Sequence, residues 1–159
     1  MENYKDNILI GTTNEDKGHK LNWLIEGLGL TPKPLEMSFL NNVLTEDAPN
    51  HRGNAEKKAR FYSQFTDELV ISSDGGVIIP ALGSKWNSLH TQRFAGGNAS
   101  DQKRVFDLLQ LMSRFHGKDR IIIWQEAVAV ARHGALLGLW EAKGREGLLL
   151  EDSDRENKN

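Results

Sequence analysis

Ile8-Leu9-Ile10-Gly11-Thr12-Thr13-Asn14-Glu15-Asp16-Lys17 is the stretch on which the fold turns. Ile8 to Ile10 is a short continuous apolar run, the pattern of a strand covered on both faces. Gly11 ends it. Thr13, with Asp16 three residues later, has the form of a capping box, and Leu21, Leu24, Ile25 and Leu28 then recur at helical spacing. Gly27 and Gly29 supply the stop. The chain therefore opens strand, polar turn, helix, and the turn lies where N–H groups at a helix start can face an anion. Lys17, in the first turn, adds a point charge suited to phosphate. An ordinary strand-to-helix connection with a solvated lysine is the alternative. No Walker sequence and no GxGxxG is present.

Outward from this stretch the pattern is alternating. Thr31-Pro32-Lys33-Pro34 forces an extended crossing segment, and Leu35–Leu44 is mixed, with room for a short strand. Glu46-Asp47-Ala48-Pro49-Asn50 is acidic and turn-forming. A second helix is predicted from about His51 to Gln64, with Ala55, Ala59 and Tyr62 on a narrow apolar face. Lys57 and Lys58 lie beside that face, either solvated or with one pointing into a cleft. Leu69-Val70-Ile71 reads as a strand by its β-branched content.

Ser72-Ser73-Asp74-Gly75-Gly76 follows, and then a second apolar run, Val77-Ile78-Ile79-Pro80. A carboxylate followed by paired glycines between two such runs predicts a tight bend between buried strands. A buried carboxylate needs a metal, a lysine or backbone donors, and this makes Asp74 the foremost catalytic candidate from the residues alone. The alternative is that Asp74-Gly75 merely forms a hairpin turn.

Gly83–Asn98 is a long irregular stretch carrying Trp86, His90, Arg93 and Phe94, and loops of this length inside a compact domain are often functional. Ser100 or Asn98 caps a third helix through Met112, with Val105, Leu108, Leu109 and Met112 inward. Arg120–Arg132 is a long strand pattern, His133-Gly134 a turn, and Ala135–Trp140 the returning strand. Glu141–Gly147 is polar and glycine-punctuated. The tail 151–159 has no apolar residue and is expected to be disordered.

The whole composition narrows the function classes. At 159 residues the chain suits one domain, spanning about 1–150 ahead of the tail. A net charge of −2 gives no general attraction to nucleic acid or an anionic membrane. There are no cysteines, which excludes disulfides, thiolate metal sites and cysteine nucleophiles. None of the five histidines pairs at metal-ligand spacing, and no Gly-x-Ser-x-Gly elbow is present. The N-terminus has no apolar signal region and no apolar run approaches membrane-spanning length, so a cytoplasmic protein is expected.

Taken together, these pieces resemble the inosine triphosphate pyrophosphatase family, house-cleaning enzymes for deaminated purine nucleotides. Thr12-Thr13-Asn14-Glu15-Asp16-Lys17 is similar to the family's Thr-x-Asn-x-x-Lys turn. Glu46, with Asn54-Ala55-Glu56-Lys57-Lys58-Ala59 eight residues on, resembles its acidic position and Asn-Ala-x-x-Lys-Ala helix start. Ser73-Asp74-Gly75-Gly76 sits where the family has an acidic pair followed by Ser-Gly. Arg93-Phe94-Ala95-Gly96 resembles its Arg-Tyr-x-Gly, and Ala99-Ser100-Asp101 its next helix cap. Ser73 replaces the first acid and Gly53 a glutamate. The family's C-terminal Phe-Gly-aromatic-Asp and Ser-His-Arg segments have no counterpart, so a shortened or divergent member is expected.

The resemblance implies an α/β fold with a mixed twisted sheet, flanking helices and a cleft between a main lobe and a smaller one. It implies hydrolysis of a nucleoside triphosphate to a monophosphate and pyrophosphate, with Mg²⁺ or another divalent cation on Glu46 and Asp74. Asp74 and Lys17 would be catalytic, Asp74 also orienting the attacking water. Thr12, Thr13, Asn14, Lys17, Lys58, Ser73, Gly75 and Arg93 would bind substrate. A homodimer is implied too. Base selectivity is expected to be weaker than the family's, or differently built, with Trp86 or Phe94 offering only a stacking face. A nucleotide-binding protein without turnover and a phosphohydrolase acting on another pyrophosphate-linked substrate are the other readings.

Overall fold

The computed structural model describes residues 6–36 and 44–149. Residues 37–43 of the expected Leu35–Leu44 strand, and the tail 151–159, lie outside the described residues. The elements are β1 (Asn7–Ile10), α1 (Glu15–Leu24), β2 (Thr31–Pro34), α2 (His51–Tyr62), β3 (Leu69–Ile78), α3 (Asp101–Leu111), β4 (Ile121–Arg132) and β5 (Ala135–Leu148). Short 3-10 turns cover Pro80–Lys85, Ser88–His90 and Gly117–Arg120. Helices on a five-stranded sheet of order β2-β1-β3-β4-β5 make the expected mixed α/β architecture. β1 pairs parallel with both β2 and β3. β4 and β5 are joined by two residues, His133 (φ 50°) and Gly134 (φ 75°), a connection that only antiparallel strands permit.

The chain divides into two compact units, the first made of residues 1–74 and 126–142, the second of 75–125 and 143–159. In the first, Ile8, Ile10 and Ile71 pack with Leu21 and Ile25 of the α1 segment. On the other face of the sheet, Leu9 and Val70 meet Tyr62 of α2. Ala55 and Ala59 lie against Ala127, Ala129 and Ala131 of β4, where the small side chains allow close helix-to-sheet approach. The α2 stripe of Ala55, Ala59 and Tyr62 is buried as its spacing predicts. In the second unit Ile79, Leu82 and Met112 form the core.

Several elements differ from the sequence expectation. The Thr31–Pro34 segment is not a bare crossing but an edge strand, the position where prolines without N–H donors are tolerated. Asn14, not Thr13, caps α1, its Oδ1 accepting from the Lys17 backbone N–H at 3.0 Å. The helix ends at Leu24, and of the four residues at helical spacing Leu21 and Ile25 are buried whereas Leu24 and Leu28 are 48 % and 66 % exposed. Val105 of α3 is likewise partly exposed, whereas Leu109 and Met112 are buried. β5 runs on through the polar Glu141–Gly147 segment to Leu148.

The largest difference is at Asp74. Residues 69–78 are one unbroken strand, with neither a bend nor a hairpin at Asp74-Gly75. Gly76 serves close approach and not turning: a Cβ there would lie 2.1 Å from the Ser88 carbonyl oxygen.

Candidate active site

The register of β1 on β3 aligns Ile10 with Ile71. The polar turn after Ile10, at the carboxyl end of β1, therefore lies beside the Ser72–Asp74 segment of β3, which runs on past its parallel partner; such strand ends are where open α/β sheets commonly bind ligands. Two bonds tie them: the Gly11 N–H donates to the Ile71 carbonyl at 2.8 Å, and the Ser72 hydroxyl donates to the Gly11 carbonyl at 2.9 Å. Strand alternation puts Asp74 on the face of Val70 and Ser72, the face that α2 covers.

From that helix come His51, Asn54 and Lys58, spaced i, i+3 and i+7, which lines them up on one face. All three are buried, at 3 %, 4 % and 6 % exposure, and Asp74 is at 6 %. Asn50 caps the helix by accepting from the Gly53 N–H. The Asn54 side chain accepts from the Ala48 N–H at 3.0 Å, fixing the acidic loop against the helix start.

The Asp74 carboxylate has donors on both oxygens. Oδ1 lies 3.3 Å from Lys17 Nζ and 3.5 Å from Lys58 Nζ. Oδ2 lies 2.7 Å from His51 Nδ1 and 3.4 Å from Asn54 Nδ2. Burial alone would push this carboxyl up. The His51 hydrogen bond and the Lys58 and Lys17 charges outweigh it and hold Asp74 well below the usual carboxylate range. An ionised carboxylate only accepts, so His51 Nδ1 carries the hydrogen.

Glu46 joins the cluster through Lys58, whose Nζ is 3.1 Å from Glu46 Oε1. The two candidate metal ligands thus face one ammonium group. Two carboxylates converging on a point suit a hard divalent cation, which takes one or two carboxylates and completes its shell with phosphate oxygens and water. Among the described residues no group of three or more His, Cys, Asp or Glu forms an all-protein metal cage. The residues fit a cation shared with a phosphorylated substrate.

The other expected site residues are placed as follows. Thr12 Oγ1 accepts from the Asn14 N–H at 3.2 Å, so both side chains shape the turn. Thr12, Thr13 and Asn14 also line, with Asn22 and Pro34, a cleft of about 630 Å³. Ser73 is buried and, by alternation, takes the strand face opposite Asp74. Gly75 and Arg93 belong to the second unit. There Arg93 is exposed, and Trp86 packs on Phe94 with ring centroids 5.0 Å apart. Lys57 pairs with Asp47 at the surface. Sequence reasoning missed His51 and Asn54 as partners of Asp74; their i, i+3, i+7 spacing with Lys58 was the available signal.

The Ham1 family profile matches residues 8–151. A protein named dITP/XTP pyrophosphatase from Nautilia profundicola is 25 % identical over 155 residues, covering 88 % of this chain and 75 % of that protein. One of the same name from Streptococcus agalactiae serotype V is 32 % identical over 118 residues, covering 74 % of this chain but 36 % of that protein. Among solved structures, a HAM1 protein from Coxiella burnetii superimposes with a TM-score of 0.68 at 25 % identity, covering 87 % of this chain and 72 % of its own. The Staphylococcus aureus Ham1 protein gives a TM-score of 0.72 at 18 % identity, covering 92 % and 73 %, a likeness of fold.

Proposed function

Because this chain belongs to the Ham1 family, we propose that it is a hydrolase that cleaves nucleoside triphosphates to the monophosphate and pyrophosphate, with deaminated purine nucleotides as substrates. The resemblance drawn from the motifs and the names of the relatives agree on this activity. One observation carries the reading: a buried, ionised Asp74 with two lysines from separate elements on one of its oxygens, on β3 just past the carboxyl end of its parallel partner β1.

Lys17 and Lys58 are the phosphate-neutralising groups in this proposal. A triphosphate competes with Asp74 for both ammonium groups, and their transfer onto phosphate oxygens uncovers Oδ1. Asp74 then accepts a hydrogen bond from the attacking water and orients it toward the phosphoryl centre. Glu46 and Asp74 would hold Mg²⁺, which supplies neutralisation of charge on the phosphates. Thr12, Thr13 and Asn14, in the turn beside Lys17, are assigned to substrate binding. Catalysis of this kind rests on positioning and charge more than on covalent chemistry.

Binding without turnover is the second reading, favoured by the four donors already on Asp74 and by Ser73 in place of an acid. A pyrophosphate-release assay over dITP, XTP, ITP, GTP and ATP with and without Mg²⁺, beside thermal melts on the same panel, separates the two. Release from the deaminated purines supports the enzyme; a melting shift without release from any nucleotide overturns it.

A homodimer is also proposed. Leu24, Leu28 and Trp140 line an apolar groove of about 510 Å³ in the first unit, a face that association would cover. Sedimentation at micromolar concentration should give twice the chain mass, and a monomer would contradict this.

A further inference from the structure

We propose that His51 is a positioning residue for Asp74, clamping one carboxylate oxygen so that the other faces the phosphate-binding lysines. This rests on the pyrophosphatase reading of the site. The observation is the division of the carboxylate: His51 Nδ1 and Asn54 Nδ2 hold Oδ2, whereas Lys17 and Lys58 gather on Oδ1. The lysine contacts are the ones a triphosphate removes. Without a second anchor the carboxylate would then be free to rotate about its Cβ–Cγ bond and lose its aim at water, a loss of pre-organisation.

At 2.7 Å the His51 contact is the shortest of the four, and the ring is 3 % exposed. His51 is the first residue of α2, fixed by the Asn50 cap and buried on the same stripe as Asn54 and Lys58. Burial of the ring leaves it little room to swing away from the carboxylate. Asn54 alone is a weaker clamp, since its amide nitrogen lies 3.4 Å from Oδ2, beyond the ordinary N–H···O range.

The test compares His51→Phe, His51→Asn and His51→Gln with wild type in metal-dependent pyrophosphate release. Asn places an amide N–H close to the position of Nδ1, Gln places one nearer the far ring edge, and Phe fills the space with no donor. The expected result is a fall in kcat of at least about tenfold for His51→Phe and His51→Gln, with KM within about twofold. His51→Asn should recover kcat to within about threefold of wild type, which ring packing alone would not predict. In the metal-free wild type, ¹⁵N NMR should find the His51 proton on Nδ1. An unchanged kcat in His51→Phe, equal losses in all three variants, or a proton on Nε2 alone would overturn the proposal. Wild type without release from any nucleotide would instead overturn the functional reading beneath it.

Discussion

Lys58→Met removes the ammonium shared by Glu46 and Asp74 while keeping most of the side chain's length. In wild type that group sits 3.1 Å from Glu46 and 3.5 Å from Asp74, with the lysine side chain 7 % exposed. Breaking a buried ion pair from one side costs about 3–5 kcal/mol when the other charge is stranded. Here neither partner is fully stranded. Asp74 keeps Lys17, His51 and Asn54, and the Glu46 side chain, 32 % exposed, can turn to water. The cost should therefore be about 2–3 kcal/mol, a fall of about 5–10 °C in Tm for a chain of this size. The same change leaves two carboxylates without their common cation. Mg²⁺ should then raise the Tm of the variant more than that of wild type, because a ligand stabilises in proportion to its affinity for the folded state. Thermal melts with and without Mg²⁺ read both effects. Lys57→Met, which removes only the surface pair with Asp47, is the control and should change little. A Lys58 variant that melts within about 1 °C of wild type, or that gains no more from Mg²⁺, would refute the bridging role.

Asp74→Asn should abolish hydrolysis, since it removes the charge while keeping size; full metal-dependent activity in the variant would relocate the site. Because the folded Asp74 carboxyl is held below its unfolded value of about 3.9, its stabilisation is complete above that value and is lost as pH falls toward the depressed one. Urea melts should accordingly show the gap between wild type and Asp74→Asn widest at neutral pH and narrowing below about pH 4. Lys17→Ala should act mainly on triphosphate affinity, raising KM by roughly tenfold or more, and isothermal titration with a non-hydrolysable triphosphate checks it. Gly11→Ala should destabilise by about 1–3 kcal/mol, because its Cβ would fall 2.2 Å from Ser72 Oγ and force apart the β1–β3 junction; denaturant unfolding reads the loss.

Much of this was legible in the chain where local and global preferences agree. Ile8–Ile10 reads as a buried strand and is one, and Ala55, Ala59 and Tyr62 form the buried stripe that their spacing predicts. His133-Gly134 turns a hairpin because both residues adopt positive φ. Local signals failed where tertiary packing overrode them. The Asp74-Gly75-Gly76 sequence has turn chemistry, yet the approach of Ser88 to Gly76 uses that glycine for space in a continuous strand. The returning strand was read only to Trp140, because Glu141–Gly147 is polar and glycine-punctuated, but strand pairing does not depend on apolar side chains at an exposed edge. In the candidate site, Asp74, Lys17, Lys58 and Glu46 were nameable as types of chemistry. The role of His51 was not: its helical spacing with Lys58 marks a shared face, but its contact with Asp74 spans 23 positions and is made only by the fold.

The most direct test is a ³¹P NMR time course of wild type with dITP and Mg²⁺, which resolves the products of the two possible cleavages. Deoxyinosine monophosphate and pyrophosphate should form in equal amounts, at a rate that Asp74→Asn reduces to background. Diphosphate with orthophosphate, or identical product formation by Asp74→Asn, would contradict this.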